Sequence, residues 1–125
     1  MAYIDGFVLA VPTDKREQFI KHCEILDSWF IEHGATRVVE TWGDNVPKGE
    51  VTDYYRATAA SEDETVCFSW VEWPDKQTRD TAMAEVENNG FEGDDRFDPE
   101  KNPVPFDGKR VIIGSFDTVF ESTAE

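Results

Sequence analysis

The sequence has 125 residues, of which 39% are hydrophobic and 13% aromatic, and this length and composition predict one folded domain. Its formal net charge of −15 opposes binding to phosphate backbones, so we expect no nucleic-acid partner. No apolar run reaches the ~18 residues of a membrane span, and the first residues lack the pattern of a signal peptide. We therefore expect a cytoplasmic protein with no membrane partner.

The first part of the sequence predicts a strand, a long helix and a second strand. Residues 3–11 form the first predicted strand. Asp14 is predicted to cap a helix that ends near His33, with Glu17 as its capping-box partner. Residues 35–42 follow as the second strand. The helix has one apolar stripe at helical spacing, formed by Phe19, Cys23, Leu26 and Phe30.

The rest of the sequence predicts two more strands around a second helix, with a short extra strand before them. Residues 54–60 form the short strand and residues 66–73 a longer one. Asp75 is predicted to cap a helix that ends near residue 89. A polar loop at 90–104 leads to the last strand, residues 110–120. This order is the ferredoxin-like split β-α-β plan of the α+β class, an antiparallel sheet with two helices on one face.

The predicted strand at residues 66–73 is apolar on both of its faces. One face has Val66, Phe68 and Trp70, and the other has Cys67, Ser69 and Val71. A strand of low polarity on both faces needs cover on both. Two helices can cover one face of a four-stranded sheet, so we predict that the other face meets a second copy of the chain in a homodimer.

A set of short motifs extends over nearly the whole chain, from about residue 3 to about residue 120. They are Asp5-Gly6-Phe7-Val8 with Val11-Pro12, Arg37-Val38-Val39-Glu40 with Trp42, Val46-Pro47-Lys48-Gly49 with Thr52-Asp53, Phe68-Ser69-Trp70-Val71-Glu72-Trp73-Pro74, Arg79-Asp80, and Pro105-Phe106-Asp107-Gly108-Lys109-Arg110 with Gly114 and Phe116. Together these motifs resemble the YbaA-like family, a conserved domain of unknown function. The set is specific, although no single motif is.

The resemblance implies membership of the dimeric α+β barrel superfamily, and hence a homodimer built from two facing sheets. That superfamily includes cofactor-independent monooxygenases, lactone isomerases, haem-dependent enzymes and regulatory ligand-binding domains. Its fold therefore predicts where a pocket lies and leaves the reaction open. Two functions follow as hypotheses: binding of a small apolar or aromatic molecule, and a cofactor-independent monooxygenase- or isomerase-like enzyme.

The predicted pocket lies between the sheet and the helices of each protomer. Its expected walls are Phe7, His22, Leu26, Trp42, Trp70 and Glu72, which suit a small apolar or aromatic ligand. Glu40 and Glu72 are catalytic candidates, because a carboxylate beside an indole in a covered site can have a raised pKa. The alternative is that each pairs with an arginine at a strand end, namely Arg37, Arg56 or Arg110.

Two further residue types have candidate chemistry. His22 is a candidate general base on the first helix, and the alternative is a histidine satisfied by a neighbouring side chain. Cys23 and Cys67 lie in apolar contexts and predict buried, reduced thiols rather than a disulfide. Neither cysteine belongs to a Cys-x-x-Cys pair or a Cys/His cluster, so we expect no metal site. No cofactor is expected either.

Overall fold

Within the described residues the fold has four strands and four α-helices. The computed structural model describes residues 1–90 and 93–124, so residues 91 and 92 of the predicted loop lie outside the described part. In chain order the elements are β1 (Tyr3–Pro12), α1 (Arg16–Leu26), α2 (Ser28–Glu32), β2 (Arg37–Glu40), α3 (Tyr54–Ala57), β3 (Glu64–Trp73), α4 (Lys76–Asn89) and β4 (Ile112–Asp117).

The four strands form one antiparallel sheet in the order β2-β3-β1-β4. At its centre Gly6 of β1 lies opposite Trp70 of β3 on one side and Gly114 of β4 on the other. Helices connect β1 to β2 and β3 to β4, and neither of these strand pairs is adjacent in the sheet, whereas β2 and β3 are paired directly. The predicted α+β class and split β-α-β plan are confirmed.

The helices cover one face of the sheet and form the core with it. Near α1, Phe19 and Cys23 pack against Leu9, Val11 and Cys67 of the two central strands. Near α2 and α4, a second group packs on the same face, formed by Trp29, Ala35, Val71, Trp73 and Ala82. Burying an apolar side chain of this size stabilises the fold by roughly 1.5–3 kcal/mol.

The first predicted helix differs from the structure at its start and in its middle. Residues 13–15 form a 3-10 turn, and α1 begins at Arg16 without a side-chain cap, so the capping box of Asp14 and Glu17 is wrong. Thr13 holds this turn instead, because its Oγ1 lies 2.8 Å from Oγ1 of Thr65 on β3. The helix is also interrupted at Asp27, which separates α1 from α2.

The predicted strand at residues 54–60 is wrong, since the segment contains the single-turn helix α3. The Asp53 carboxylate accepts a hydrogen bond from the Arg56 backbone N–H at 2.8 Å and caps this turn. The Tyr55 hydroxyl donates to the Val46 carbonyl at 2.7 Å and anchors the turn to the preceding loop. Local capping therefore outweighs the strand preference of the two tyrosines.

The start of α4 follows the sequence prediction. The Asp75 carboxylate accepts a hydrogen bond from the Thr78 backbone N–H at 2.7 Å, so Asp75 caps this helix. None of the helices in the described part of the chain is both long and apolar enough to span a membrane.

Candidate functional site

The register of the sheet separates the predicted pocket residues between two faces. Phe7 is paired with Ser69, and both point toward the helices, where they line the same cavity. Trp70 and Glu72 alternate with Ser69 and Val71 along β3, so they point to the opposite face. The structure thereby corrects the prediction that Trp70 and Glu72 are pocket walls.

A cavity of about 210 Å³ lies between α1 and the helix-facing side of the sheet. Three of the predicted wall residues line it, namely Phe7, His22 and Leu26. The other lining side chains are mostly apolar and are accompanied by one thiol, two carboxyls and one hydroxyl: Leu9, Phe19, Cys23, Asp27, Phe30, Glu40, Ser69, Val71, Phe106, Val111 and Ile113. An apolar cavity of about 150 Å³ can hold benzene, so this volume suits a small aromatic molecule.

An open cleft of about 580 Å³ adjoins this cavity and is lined by residues of α1, α2 and the β2 region. Phe19, Cys23, Asp27 and Glu40 line both spaces. Trp42, the fourth predicted wall residue on the helix side, lines the cleft rather than the cavity, and its ring centroid lies 5.9 Å from that of Phe19. The cleft therefore gives the polar side of the cavity a route to solvent.

The polar wall shared by the two spaces is formed by Cys23, Asp27 and Glu40. One ligand-type atom from each of them lies within 4.8 Å of the other two. The Cys23 thiol donates a hydrogen bond to Glu40 Oε2, with Sγ and Oε2 2.9 Å apart. The alternative that Glu40 pairs with an arginine does not hold among the described residues. The three candidate arginines, Arg37, Arg56 and Arg110, form their ion pairs with other carboxylates.

Burial changes the acidity of all three groups. It raises the pKa of Asp27 to about 8, with a further contribution from the neighbouring Glu40 charge. It also raises the pKa of Glu40 above its ordinary value, and the hydrogen bond from Cys23 opposes this rise only in part. Burial followed by the Glu40 charge raises the pKa of the Cys23 thiol strongly. The cluster therefore favours bound protons or a bound cation over free negative charge.

Ser69 adds a buried hydroxyl to this wall. It is 1% exposed and lies directly opposite Glu40 in the pairing of β2 with β3. The hydroxyl is near enough to lower the pKa of the Glu40 carboxyl, yet its Oγ has no hydrogen bond of ordinary geometry within the described residues. A buried hydroxyl that lacks a hydrogen bond raises the free energy of the folded protein. A molecule or ion bound in the cavity could supply the missing hydrogen-bond partner.

His22 lines the cavity, and its buried ring is held by two neighbouring side chains. Its Nδ1 lies 3.0 Å from Oδ1 of the buried Asn102, and its ring meets the edge of Phe106 with centroids 5.7 Å apart. Asn102 in turn donates from Nδ2 to the Arg96 carbonyl at 2.8 Å. Burial lowers the pKa of His22. These contacts fit the alternative of a satisfied histidine, which fastens the loop after α4 to α1.

The face of the sheet that points away from the helices, here called the open face, exposes large apolar side chains. Phe68, Ile112 and Phe116 are each between 42% and 59% exposed. Phe116 lies close to both central glycines, since a Cβ built on Gly6 or Gly114 would be 3.4 Å or 3.0 Å from its ring. The register places these side chains together with Val8 and Trp70 on one surface.

Glu72 lies at the border of the open face in an ion pair. Its Oε2 accepts from the Trp70 indole Nε1 at 2.9 Å and from Arg37 Nη1 at 3.3 Å. The alternative of pairing with a strand-end arginine therefore holds for Glu72, in contrast to Glu40. A carboxylate satisfied in this way is a structural group rather than a proton donor to the cavity.

Sequence reasoning missed Asp27 and Ser69 as members of the site. Asp27 comes four residues after Cys23, and this spacing places both on one side of a helix. Ser69 is a polar side chain between Cys67 and Val71 on the helix-facing side of β3, where the other polar residue, Thr65, lies near the start of the strand. Both signals are visible in the sequence, but their meeting with Glu40 depends on how β2 packs against α1.

The sheet order and the cavity beneath the helices define a ferredoxin-like α+β protein. A family model described as "Protein of unknown function (DUF1428)" matches residues 2–108, so the chain belongs to this family. The "Uncharacterized protein YbaA" of Escherichia coli strain K12 is 42% identical over 121 residues, which are 97% of this chain and 99% of that protein. The same values hold for the protein of that name from Shigella flexneri. The resemblance to the YbaA-like family is confirmed.

A solved structure shares the fold at low sequence identity. It is the crystal structure of a dimeric ferredoxin-like protein from an uncultured marine organism, with a TM-score of 0.55 and 12% identity. The match covers 98% of this chain and 100% of that one. At this identity the likeness shows the fold, and it agrees with the ferredoxin-like sheet order described above.

Proposed function

We propose that the protein is a homodimer joined through its open face, and that each subunit binds a small apolar or aromatic molecule between the helices and the sheet. The observation that favours binding most is the cavity of about 210 Å³, which has a mostly apolar lining and one polar wall. Ligand sites commonly combine an apolar body with a few convergent polar groups. The cavity matches this description on both counts.

Exposed apolar side chains on the open face support the homodimer. Phe68, Ile112 and Phe116 would leave a contiguous apolar surface in water if the chain were a monomer. A second copy is the economical cover, because a two-fold axis lets the same surface meet itself. The dimeric state named for the ferredoxin-like protein of the marine organism is consistent with such an assembly.

The cleft supports access of a ligand to the cavity. A molecule entering between α1 and β2 would pass Trp42 and reach the shared wall of Cys23, Asp27 and Glu40. Its apolar body would then contact Phe7, Leu26 and the other apolar lining residues, while a polar atom faced the carboxyls. An aromatic molecule with one N–H or O–H donor fits this arrangement.

Indole is a suitable probe for this proposal, because it is apolar apart from one N–H donor. Isothermal titration of indole into the purified protein should show saturable binding with one site per chain. Leu26→Phe should fill part of the cavity and weaken binding at least tenfold. Ile25→Phe, a neighbouring change on the same helix at a residue that does not line the cavity, should bind as the native protein does. Absence of saturable binding, or equal binding by Leu26→Phe, would contradict the proposal.

An enzyme of the monooxygenase or isomerase kind stays a prediction from the sequence. Of its three candidate residues, Glu72 accepts a hydrogen bond from Trp70 on the open face and His22 is satisfied by Asn102, which leaves Glu40 as the candidate.

The two cysteines are free and buried, and this favours the cytoplasmic location that we keep as part of the proposal.

A further inference from the structure

The wall of Cys23, Asp27 and Glu40 has the geometry of a cation site. Asp27 lies one helical turn after Cys23, and its backbone N–H bonds to the Cys23 carbonyl at 2.8 Å, so both side chains leave the same side of α1. Glu40 reaches them from the end of β2. The resulting set is one sulfur and two carboxyl oxygens, all within 4.8 Å of one another.

No positive side chain neutralises this set within the described part of the chain. The ion pairs there involve other carboxylates, such as Glu64 with Arg110 and Asp5 with Arg79. The contact inside the set is the hydrogen bond from Cys23 Sγ to Glu40 Oε2.

A second observation at the same wall points to a ligand. The Ser69 hydroxyl is buried, lines the same cavity, and has no hydrogen-bond partner of ordinary geometry among the described residues. It lies opposite Glu40 across the β2–β3 pairing. A water bound to a metal ion, or a metal-bound carboxylate, would supply the missing partner.

We propose that Cys23, Asp27 and Glu40 bind one divalent transition-metal ion, with Zn²⁺ as the ion of best fit. A thiolate with two carboxylates suits zinc, and three protein ligands leave a fourth position for water or a substrate atom. In a tetrahedral zinc site with one sulfur and two oxygen ligands, metal–ligand distances of about 2.0–2.3 Å place the ligand atoms about 3.3–3.6 Å apart. Small side-chain movements from the present separations reach this spacing, once the thiol proton between Sγ and Oε2 is released.

This site departs from the sequence expectation of no metal site, which rested on the lack of a Cys-x-x-Cys pair or a Cys/His cluster. Because Cys23, Asp27 and Glu40 all line the apolar cavity, a polar atom of a molecule bound there could reach the ion. This inference rests on the proposed function in one respect, namely that the metal ion and the small molecule would lie in the same cavity. Metal binding is measured without any organic molecule, so indole binding and metal binding can fail independently.

The test uses the full chain, stripped with a chelator and titrated with Co²⁺ as a spectroscopic substitute for Zn²⁺. We expect one Co²⁺ per chain, a sulfur-to-cobalt charge-transfer band, and displacement by Zn²⁺. Cys23→Ser should remove the band and weaken binding about tenfold or more. Cys67→Ser changes the other buried thiol, which lies outside the set, and should keep both band and affinity.

Two nearly isosteric variants keep the proposal testable if Cys23→Ser does not fold. Glu40→Gln and Asp27→Asn preserve size and should each weaken Co²⁺ binding about tenfold or more, with far-ultraviolet circular dichroism unchanged. The proposal is overturned if the native chain binds no Co²⁺ or Zn²⁺, if Cys23→Ser keeps the band, or if Cys67→Ser loses it equally. Native affinity in both carboxyl variants would overturn it as well.

Discussion

The Asp5 carboxylate accepts a hydrogen bond from the Trp73 indole nitrogen at 2.9 Å in the interior of the protein. Two further donors reach the same carboxylate, Arg79 Nε at 3.2 Å and Ser115 Oγ at 2.6 Å. Asp5 is 5% exposed, so its charge depends on these partners. The three donors come from β3, α4 and β4, and Asp5 therefore joins the elements on one side of the core.

Asp5→Asn should destabilise the protein by about 2 kcal/mol at neutral pH. The change keeps the size of the side chain but removes the charge that balances Arg79, and breaking a buried pair is costly. We place the loss below the larger values known for such pairs because the Arg79 side chain is partly exposed. Urea unfolding measures the change.

Asp80→Asn is the matched control for this prediction. Asp80 also pairs with Arg79, at 3.3 Å, but its side chain is 44% exposed. An exposed pair contributes about 0–1 kcal/mol, so this variant should remain near native stability. Equal losses in the two variants would show that the buried position of Asp5 has no special effect.

Acid should remove the contribution of the Glu64–Arg110 ion pair to stability. Arg110 binds both oxygens of Glu64, at 2.8 and 2.7 Å, and these hydrogen bonds lower the pKa of Glu64 from 4.5 to about 2. Because the pKa in the folded state is the lower one, the pair stabilises the protein above pH 4.5. That stability is lost as the pH falls from 4.5 toward 2.

Glu64→Gln tests this pH dependence. At pH 7 the variant should be less stable than the native protein by about 1–2 kcal/mol, near the low end of the ~1.5–3 kcal/mol of a hydrogen bond to a charged group, because the Arg110 side chain is 29% exposed. The difference should shrink below pH 4.5 and disappear near pH 2. Thermal unfolding at several pH values gives the two curves, and a difference that stays constant down to pH 2 would speak against an ionic origin.

Much of the fold follows from local patterns in the sequence. Helical spacing of apolar residues predicted the sheet-facing stripe of α1, and Asp75 predicted the start of α4. The errors arose where two local signals compete. At residues 54–60 the aromatic side chains favour a strand, while Asp53 favours a helical turn, and the cap prevails.

The candidate site was harder to predict, because strands apolar on both faces hide which face is buried. Nothing local distinguishes the side of Trp70 and Glu72 from that of Ser69 and Val71. The face is decided by which side chains the helices cover, a tertiary property. The approach of Glu40 to Cys23 depends on the same packing, so a motif search along the chain does not find the cluster.

The homodimer through the open face is the central claim, and the mass of the protein in solution tests it most directly. One chain has a mass of 14.3 kDa. Multi-angle light scattering at micromolar concentration should give twice this mass for the native protein. Phe116→Asp should give the mass of one folded chain, because it places a charge on the open face, whereas Ile31→Asp on α2 should remain dimeric. A native mass of 14.3 kDa would contradict the account.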